Sequence, residues 1–252
     1  MDELHFMLSA DDTAIYAAYN SGDLDYIDTV PNDEISSLNG INPEFGILDN
    51  LGTYYIGFNV NDPIFDGKTE EQAAKMREAI SLLVDRQFIA ENVGQTGHIA
   101  VAESVQQDVA LLGINLEIKS EDWNVFLEDR KSGNFTIARE GWLADYNDPV
   151  NMLEIFTSDS GNNDMQLGKG TPVSSSPDWT AYNDLISQIR TTTDFAARVD
   201  LMHQAEDMLM NTWAVIPIYY YNDVYMQKSN VTGIYATVYG MKYFMYATKS
   251  AQ

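Results

Sequence analysis

The 252-residue chain predicts an α/β fold with a mixed sheet. Apolar residues recur at helical spacing in some stretches and at every second position in others, and the two patterns alternate along the chain. Helical stretches also close on glycine and pass directly into strand-like runs. No internal repeat and no low-complexity linker interrupts this alternation.

In order, residues 4–8 read as a short strand, and Asp11 reads as the N-cap of a helix over 12–20 that stops at Ser21-Gly22. Residues 23–30 read as a strand. So do residues 53–60, rich in β-branched and aromatic side chains and ended by Asn61-Asp62-Pro63. Thr69 with Glu71 and Gln72 opens the clearest helix, whose apolar face (Ala73, Met76, Ile80, Leu83, Val84) carries the prediction on to Phe88 and Ile89. A second helix, 98–112, ends at Gly113 and leads into an alternating strand over 114–118. Residues 123–131 are helical up to Gly133, and 135–139 form a strand entering the unusual segment 140–149. The Ser-, Gly-, Asn- and Pro-rich stretch 158–177 is loop. Two helices (178–190, 194–211) and an apolar strand (214–221) complete the pattern.

Hydrophobic residues make up 45% of the chain, enough to fill a core. Thirty-eight acidic residues oppose fourteen basic ones, a formal charge of -24 spread along the sequence. That charge disfavours nucleic acid and anionic membrane surfaces as partners and otherwise gives a well-solvated surface. With no cysteine, disulfides, thiolate metal sites and cysteine nucleophiles are excluded, while both cytosolic and extracytoplasmic life remain open. Residues 1–10 show no basic region followed by an apolar run, so no signal peptide is expected there, and no stretch reaches the length of a membrane helix.

Several blocks, taken in order, carry a resemblance. They are Thr53-Tyr54-Tyr55 with Phe58-Asn59; Arg77-Glu78-Ala79-Ile80; and Val84-Asp85-Arg86-Gln87-Phe88-Ile89. Leu112 to Leu116, Trp123 and Phe126-Leu127 follow, and then Ile137-Ala138-Arg139-Glu140-Gly141-Trp142-Leu143-Ala144-Asp145-Tyr146-Asn147-Asp148-Pro149. The series ends with Tyr182-Asn183-Asp184-Leu185-Ile186 and Val215-Ile216-Pro217-Ile218-Tyr219. Together they resemble the C-terminal half of the family-5 extracellular solute-binding proteins, whose members bind oligopeptides, dipeptides and in some cases nickel complexes. Two departures stand out: family members are about twice as long, and Gly94-Gln95-Thr96-Gly97 runs straight into His98 where several dozen more residues are usual.

The resemblance implies a periplasmic-binding-protein-like lobe (type II, cluster C), here truncated or engineered. Residues 1–60 would be a remnant of the first-lobe sheet, 61–221 the second, ligand-binding lobe, and 222–252 a return segment to the first. It also implies that the strands at 53–60 and 214–221 lie near one another, because the chain crosses between lobes after them. Its partners would be a peptide and, for the parent protein, an ABC-transporter permease. The parent would be extracytoplasmic, periplasmic or a surface lipoprotein. A face built to be covered would expose Phe6, Tyr235, Tyr239 and Phe244 and favour self-association.

A zwitterionic peptide of variable sequence needs an anion for its ammonium end and cations for its carboxylate end. By resemblance Asp145 is the residue that pairs with the α-amino group; its ordinary alternative is a loop aspartate capping a turn or the helix after Pro149. Arg130 and Arg139 are candidates for the ligand's C-terminus, Arg130 competing with simple ion pairing to nearby acids, and His98 sits where some relatives place another such group. Trp142, Tyr146 and Tyr221 are candidates for an aromatic wall, against the commoner role of core residues. Asn162 and Asn163 offer ligand contacts from the loop or plain turn chemistry.

Enzymatic readings find less support. His5, His98 and His203 lie in no recognised catalytic motif, and no nucleophile elbow, metalloprotease helix, phosphate loop, dinucleotide fingerprint or EF-hand is present. No cofactor or metal is expected. Acid pairs such as Glu121-Asp122 and Asp145/Asp148 keep a glycosidase formally open, and a purely structural domain is the remaining alternative.

Overall fold

The computed structural model describes residues 3–93, 97–171 and 173–251. Met1, Asp2 and the Gly94, Gln95 and Thr96 singled out above lie outside the described residues. Helix α1 (Asp12–Ser21) is followed by β1 (Tyr26–Ile27), α2 (Asn32–Leu38), the long β2 (Phe45–Phe58) and α3 (Glu70–Leu83). Then come the one-turn α4 (Arg86–Phe88), α5 (His98–Ala110), α6 (Trp123–Ser132), β3 (Ile137–Leu143) and the short α7 (Val150–Glu154). The chain ends with α8 (Thr180–Thr191), α9 (Phe195–Asn211), β4 (Val215–Gln227) and four two-residue strands: β5 (Val231–Thr232), β6 (Tyr235–Ala236), β7 (Lys242–Tyr243) and β8 (Thr248–Lys249).

The main sheet has the order β1-β4-β2-β3. The expected neighbourhood of the 53–60 and 214–221 strands is therefore present as the β2·β4 pair. Two compact units divide the chain: one comprises Met1–Gly52 with Tyr220–Gln252, the other Thr53–Tyr219. In the first, β1 pairs antiparallel with β4 (Ile27 opposite Met226), and Tyr19, Ile27, Val30, Leu38 and Met226 form the core. In the second, α8 and α9 pack with the end of β2 around Tyr55, Phe156, Met165, Trp179, Tyr182, Ile186, Leu209 and Val215.

Local chemistry fixes several helix ends. Asp11 accepts from the Ala14 amide, and Gly22 closes α1 in the left-handed region at φ 87°. Thr69 and Gln72 form a complete capping box. Asp122 and Gly133 (φ 75°) bound α6, and Asp194 caps α9.

Four expectations are corrected. The α3 helix stops at Leu83 instead of running to Ile89. The Arg86 side chain takes the Ser81 carbonyl (2.9 Å) and hydroxyl (2.7 Å), and Asp85 accepts from the Phe88 amide (2.9 Å) to start a separate turn. Residues 114–118 keep their alternating burial, but among the described residues no strand pairs with them; the Leu116 carbonyl instead accepts from Gln106 (2.6 Å). Residues 4–8 are exposed and unpaired, and residues 23–30 reduce to the two-residue β1. Periodicity alone makes a strand only where a neighbour supplies the ladder. Helix α2 was not foreseen, since it opens on Pro31 with no side-chain cap.

The family-like α3 blocks are anchors. Arg77 is fully buried, donates from Nε to the Thr212 carbonyl (2.8 Å) and lies over the Phe65 ring. Arg86 donates to the Pro217 carbonyl (2.7 Å), so both arginines tie the 70–88 region to the approach to β4. In the 158–177 loop, Gly168 adopts φ +65°, and a Cβ there would meet Ser158 Oγ at 2.2 Å and the Cβ of buried Trp179 at 2.6 Å. Gly168→Ala is expected to lower stability by about 1–3 kcal/mol, read as a reduced urea midpoint at unchanged slope.

Candidate functional site

Strand β3 and the loop after it carry the candidate residues, and the surroundings of β3 decide what each can do. Arg130, on α6, is 12% exposed and pairs with Glu140 of β3 and, through Nε, with Asp164 of the polar loop (3.5 Å). Both acids are nearly fully buried. Burial pushes the Glu140 carboxyl up to about 8; Arg130 opposes that rise and Asp164 adds to it. Asp164 is raised too, by burial first, with Arg130 opposing. The Arg130 charge is thus committed to two internal carboxylates.

Arg139 differs. Half-buried on β3, it packs 5.3 Å from the Trp123 ring centre and 5.9 Å from that of Tyr54, within the range of cation–π attraction. It makes no hydrogen bond or ion pair with any described residue. His98 stacks on the same Tyr54 ring at 5.7 Å, and burial followed by the Arg139 charge lowers its pKa. The structure therefore gathers Arg139 and His98 around Tyr54, with one fixed and unspent cation.

Past the end of β3 lies a second centre. Asn151, 2% exposed on α7, accepts through Oδ1 from Trp142 Nε1 (3.0 Å) and from the Asp145 amide (2.9 Å). The Asp145 carboxylate is exposed and pairs with no described residue. A cleft of roughly 260 Å³ opens here, lined by Trp142, Asp145, Asn162, Asn151, Glu154, Thr157, Asp159, Ser160 and Arg190. Glu154 is held by Tyr146, Asn151 (3.3 Å) and Arg190 (2.8 Å). Burial alone raises its pKa, but those three bonds outweigh burial and lower it.

Of the residues named from the sequence, Trp142, Asp145 and Asn162 share this cleft. Asn163 is fully buried and braces the loop, donating to the carbonyls of Thr157 (3.1 Å) and Leu167 (2.7 Å). Tyr146 points its hydroxyl at Glu154. Tyr221 lies half-buried on β4, in the other unit. Both acid pairs that kept a glycosidase open hold structural members: Glu121 pairs with Lys119 and Asp122 caps α6, while Asp148 pairs with Arg198 (2.9 Å) and caps the Val150 amide. Sequence reasoning missed Asn151, Glu154 and Arg190. The first two are ordinary polar positions on a short helix, and Arg190 reads as a basic residue in the last turn of α8. Among the described residues no cluster of His, Asp and Glu is arranged to hold a metal ion, and no helix is long and apolar enough to cross a membrane.

Residues 1–100 and 92–164 match the family described as bacterial extracellular solute-binding proteins, family 5 Middle. The chain belongs to this family. The two matched stretches overlap at 92–100, around the Gly94–Gly97 step. The dipeptide-binding protein DppE of Bacillus subtilis (strain 168) is 26% identical over 300 aligned positions, spanning 93% of this chain and 52% of that protein. Oligopeptide-binding protein OppA of the same organism is 33% identical over 148 residues, 58% of this chain and 26% of OppA. The chain thus spans about half, or less, of these relatives. Among solved structures, an oligopeptide-binding protein of Borrelia burgdorferi (OppAIV) superposes with TM-score 0.77 at 18% identity, over 97% of this chain and 58% of that one. A Pseudoalteromonas dipeptide-binding protein in complex with Met-Leu gives 0.73 at 18%, over 96% and 57%. The fold is that of the periplasmic peptide-binding proteins.

The buried Glu140 sets a pH dependence. Its folded pKa of about 8 lies above the ordinary carboxyl value, so the folded state holds the extra proton. Stability from this group is complete below about pH 4.5 and is lost as pH rises toward 8. Urea denaturation between pH 5 and 8.5 is expected to show falling stability, and Glu140→Gln is expected to flatten that fall.

Proposed function

We propose that this chain is a ligand-binding part of a protein that captures short peptides for an ABC importer, and that it performs no chemistry on them. One observation carries the reading: Asp145 presents a carboxylate free of described partners at a cleft walled by Trp142. In that position an incoming ammonium gains a charge-assisted hydrogen bond without displacing a protein cation. Asn162 borders the same cleft.

For the ligand's carboxylate, Arg139 is the arginine with no hydrogen bond or ion pair among the described residues, with His98 beside it. A guanidinium held between aromatic rings keeps its fork geometry for two parallel bonds to a carboxylate. Arg130 then serves as internal support, and Tyr221 is the remaining aromatic candidate.

The names of the relatives agree with this reading. DppE is a dipeptide-binding protein, and the OppA proteins of Salmonella typhimurium and Escherichia coli are named periplasmic oligopeptide-binding proteins. We assign residues 1–60 and 222–252 to the first lobe and 61–221 to the second, and place the parent protein outside the cytoplasm with a permease as its partner. Of the four residues expected to be exposed, Phe6 and Tyr235 are, while Tyr239 and Phe244 are half-buried; with the exposed Met7, Leu8, Met245 and Tyr246 of the first unit they support self-association as a further property.

Asp145→Asn keeps size and most hydrogen bonding while removing the anion. It is expected to weaken peptide binding by about 10- to 150-fold, the loss of a bond worth roughly 1.5–3 kcal/mol. Calorimetric titration reads the change, and N-acetylating the peptide is expected to reproduce it on the unmutated chain. Equal affinity in all these titrations removes Asp145 as the amine site.

A further inference from the structure

We infer that Asn151 is the positioning residue of the Asp145 subsite, setting the aromatic wall and the anion with a single amide oxygen; this rests on the reading of Asp145 above. Asn151 is buried, and its Oδ1 accepts both the Trp142 indole N–H (3.0 Å) and the Asp145 main-chain N–H (2.9 Å). Both partners are donors only, so the amide can face them in one orientation alone. Its two lone pairs are spent, and Asn151 has no acceptor left to offer a ligand.

The other end of the amide is equally fixed. Nδ2 donates to Glu154 Oε1 (3.3 Å), which also receives the Tyr146 hydroxyl, while Arg190 holds Glu154 Oε2 (2.8 Å). Arg190 lies on α8 and Glu154 and Asn151 on α7, so the line of bonds runs from the helical core to the loop after β3. A buried indole N–H needs only one acceptor. Here the same oxygen also grips the backbone of the residue whose carboxylate stays unpaired. The inference is therefore that Asn151 sets the direction of the Asp145 carboxylate relative to the Trp142 face and so sets the preference for a free amine.

The test compares the unmutated chain with Asn151→Leu and Asn151→Gln, using trialanine and N-acetyl-trialanine as probes. In Asn151→Leu the Asp145 amide is expected to exchange about tenfold faster, the Trp142 indole resonance to move, and the preference for trialanine over its acetylated form to fall about tenfold, as loss of a buried acceptor implies. Asn151→Gln keeps both the acceptor oxygen and an N–H donor for Glu154, and protection, resonance and preference are expected to return toward those of the unmutated chain. Should Asn151→Leu fail to fold, Asn151→Ser, which draws the acceptor back, carries the same expectations. Unchanged protection, or an unchanged preference with protection lost, overturns the inference. If trialanine does not bind the unmutated chain, the peptide reading fails on its own, and the exchange and indole measurements still decide whether Asn151 holds the two groups.

Discussion

The burial of Arg130 between Glu140 and Asp164 is the interaction on which the rest of the site depends. One cation draws α6, β3 and the polar loop to a common point. Two carboxyl groups in a poorly solvated interior around one guanidinium cannot both ionise cheaply, and burial pushes both pKa values up against the pull of Arg130. Removing the arginine would strip two buried acids of the cation that bonds them, a far larger penalty than the pair's net contribution to stability. The cluster fixes the course of β3, and β3 in turn presents Arg139 and Trp142 and leads to Asp145.

Scarcity of positive charge explains how these roles separate. With fourteen basic residues against thirty-eight acids, each arginine has many potential partners. Arg77 and Arg86 donate to backbone carbonyls at the approach to β4, and Arg130, Arg190 and Arg198 pair with carboxylates. Arg139 is the arginine with no such bond among the described residues, held by aromatic rings instead. On the acidic side Asp145 is similarly unspent, while its neighbours Asp148 and Glu154 are each tied to an arginine. On the proposed reading, this unpaired cation and unpaired anion on one short stretch of chain are the two handles for a zwitterionic ligand.

Much of this was legible in the sequence where chemistry is local. Caps at Asp11 and Thr69 and the glycine stops at Gly22 and Gly133 put helix ends within a residue or two of their places. Ordered blocks around Trp142 and Asp145 pointed to a loop that the structure places at a cleft. What stayed hidden depends on distant partners. Residues 114–118 alternate like a strand yet gain no ladder, and the break after Leu83 exists because Arg86 folds back on Ser81. Arg130 and Arg139 looked equivalent until the positions of Glu140 and Asp164 separated them. Asn151 carries no signal in a lone sequence, since its importance comes from two donors six and nine residues away that only the folded loop brings to one oxygen.

The most direct test of the central claim is resonance mapping of the unmutated chain titrated with a short unblocked peptide. The account predicts shifts concentrated at the Trp142 indole, the Asp145 amide and the loop at Asn162, with a second group at Arg139 and His98, and no cleavage of the peptide. Shifts confined to residues outside both groups, or hydrolysis of the peptide, would contradict it.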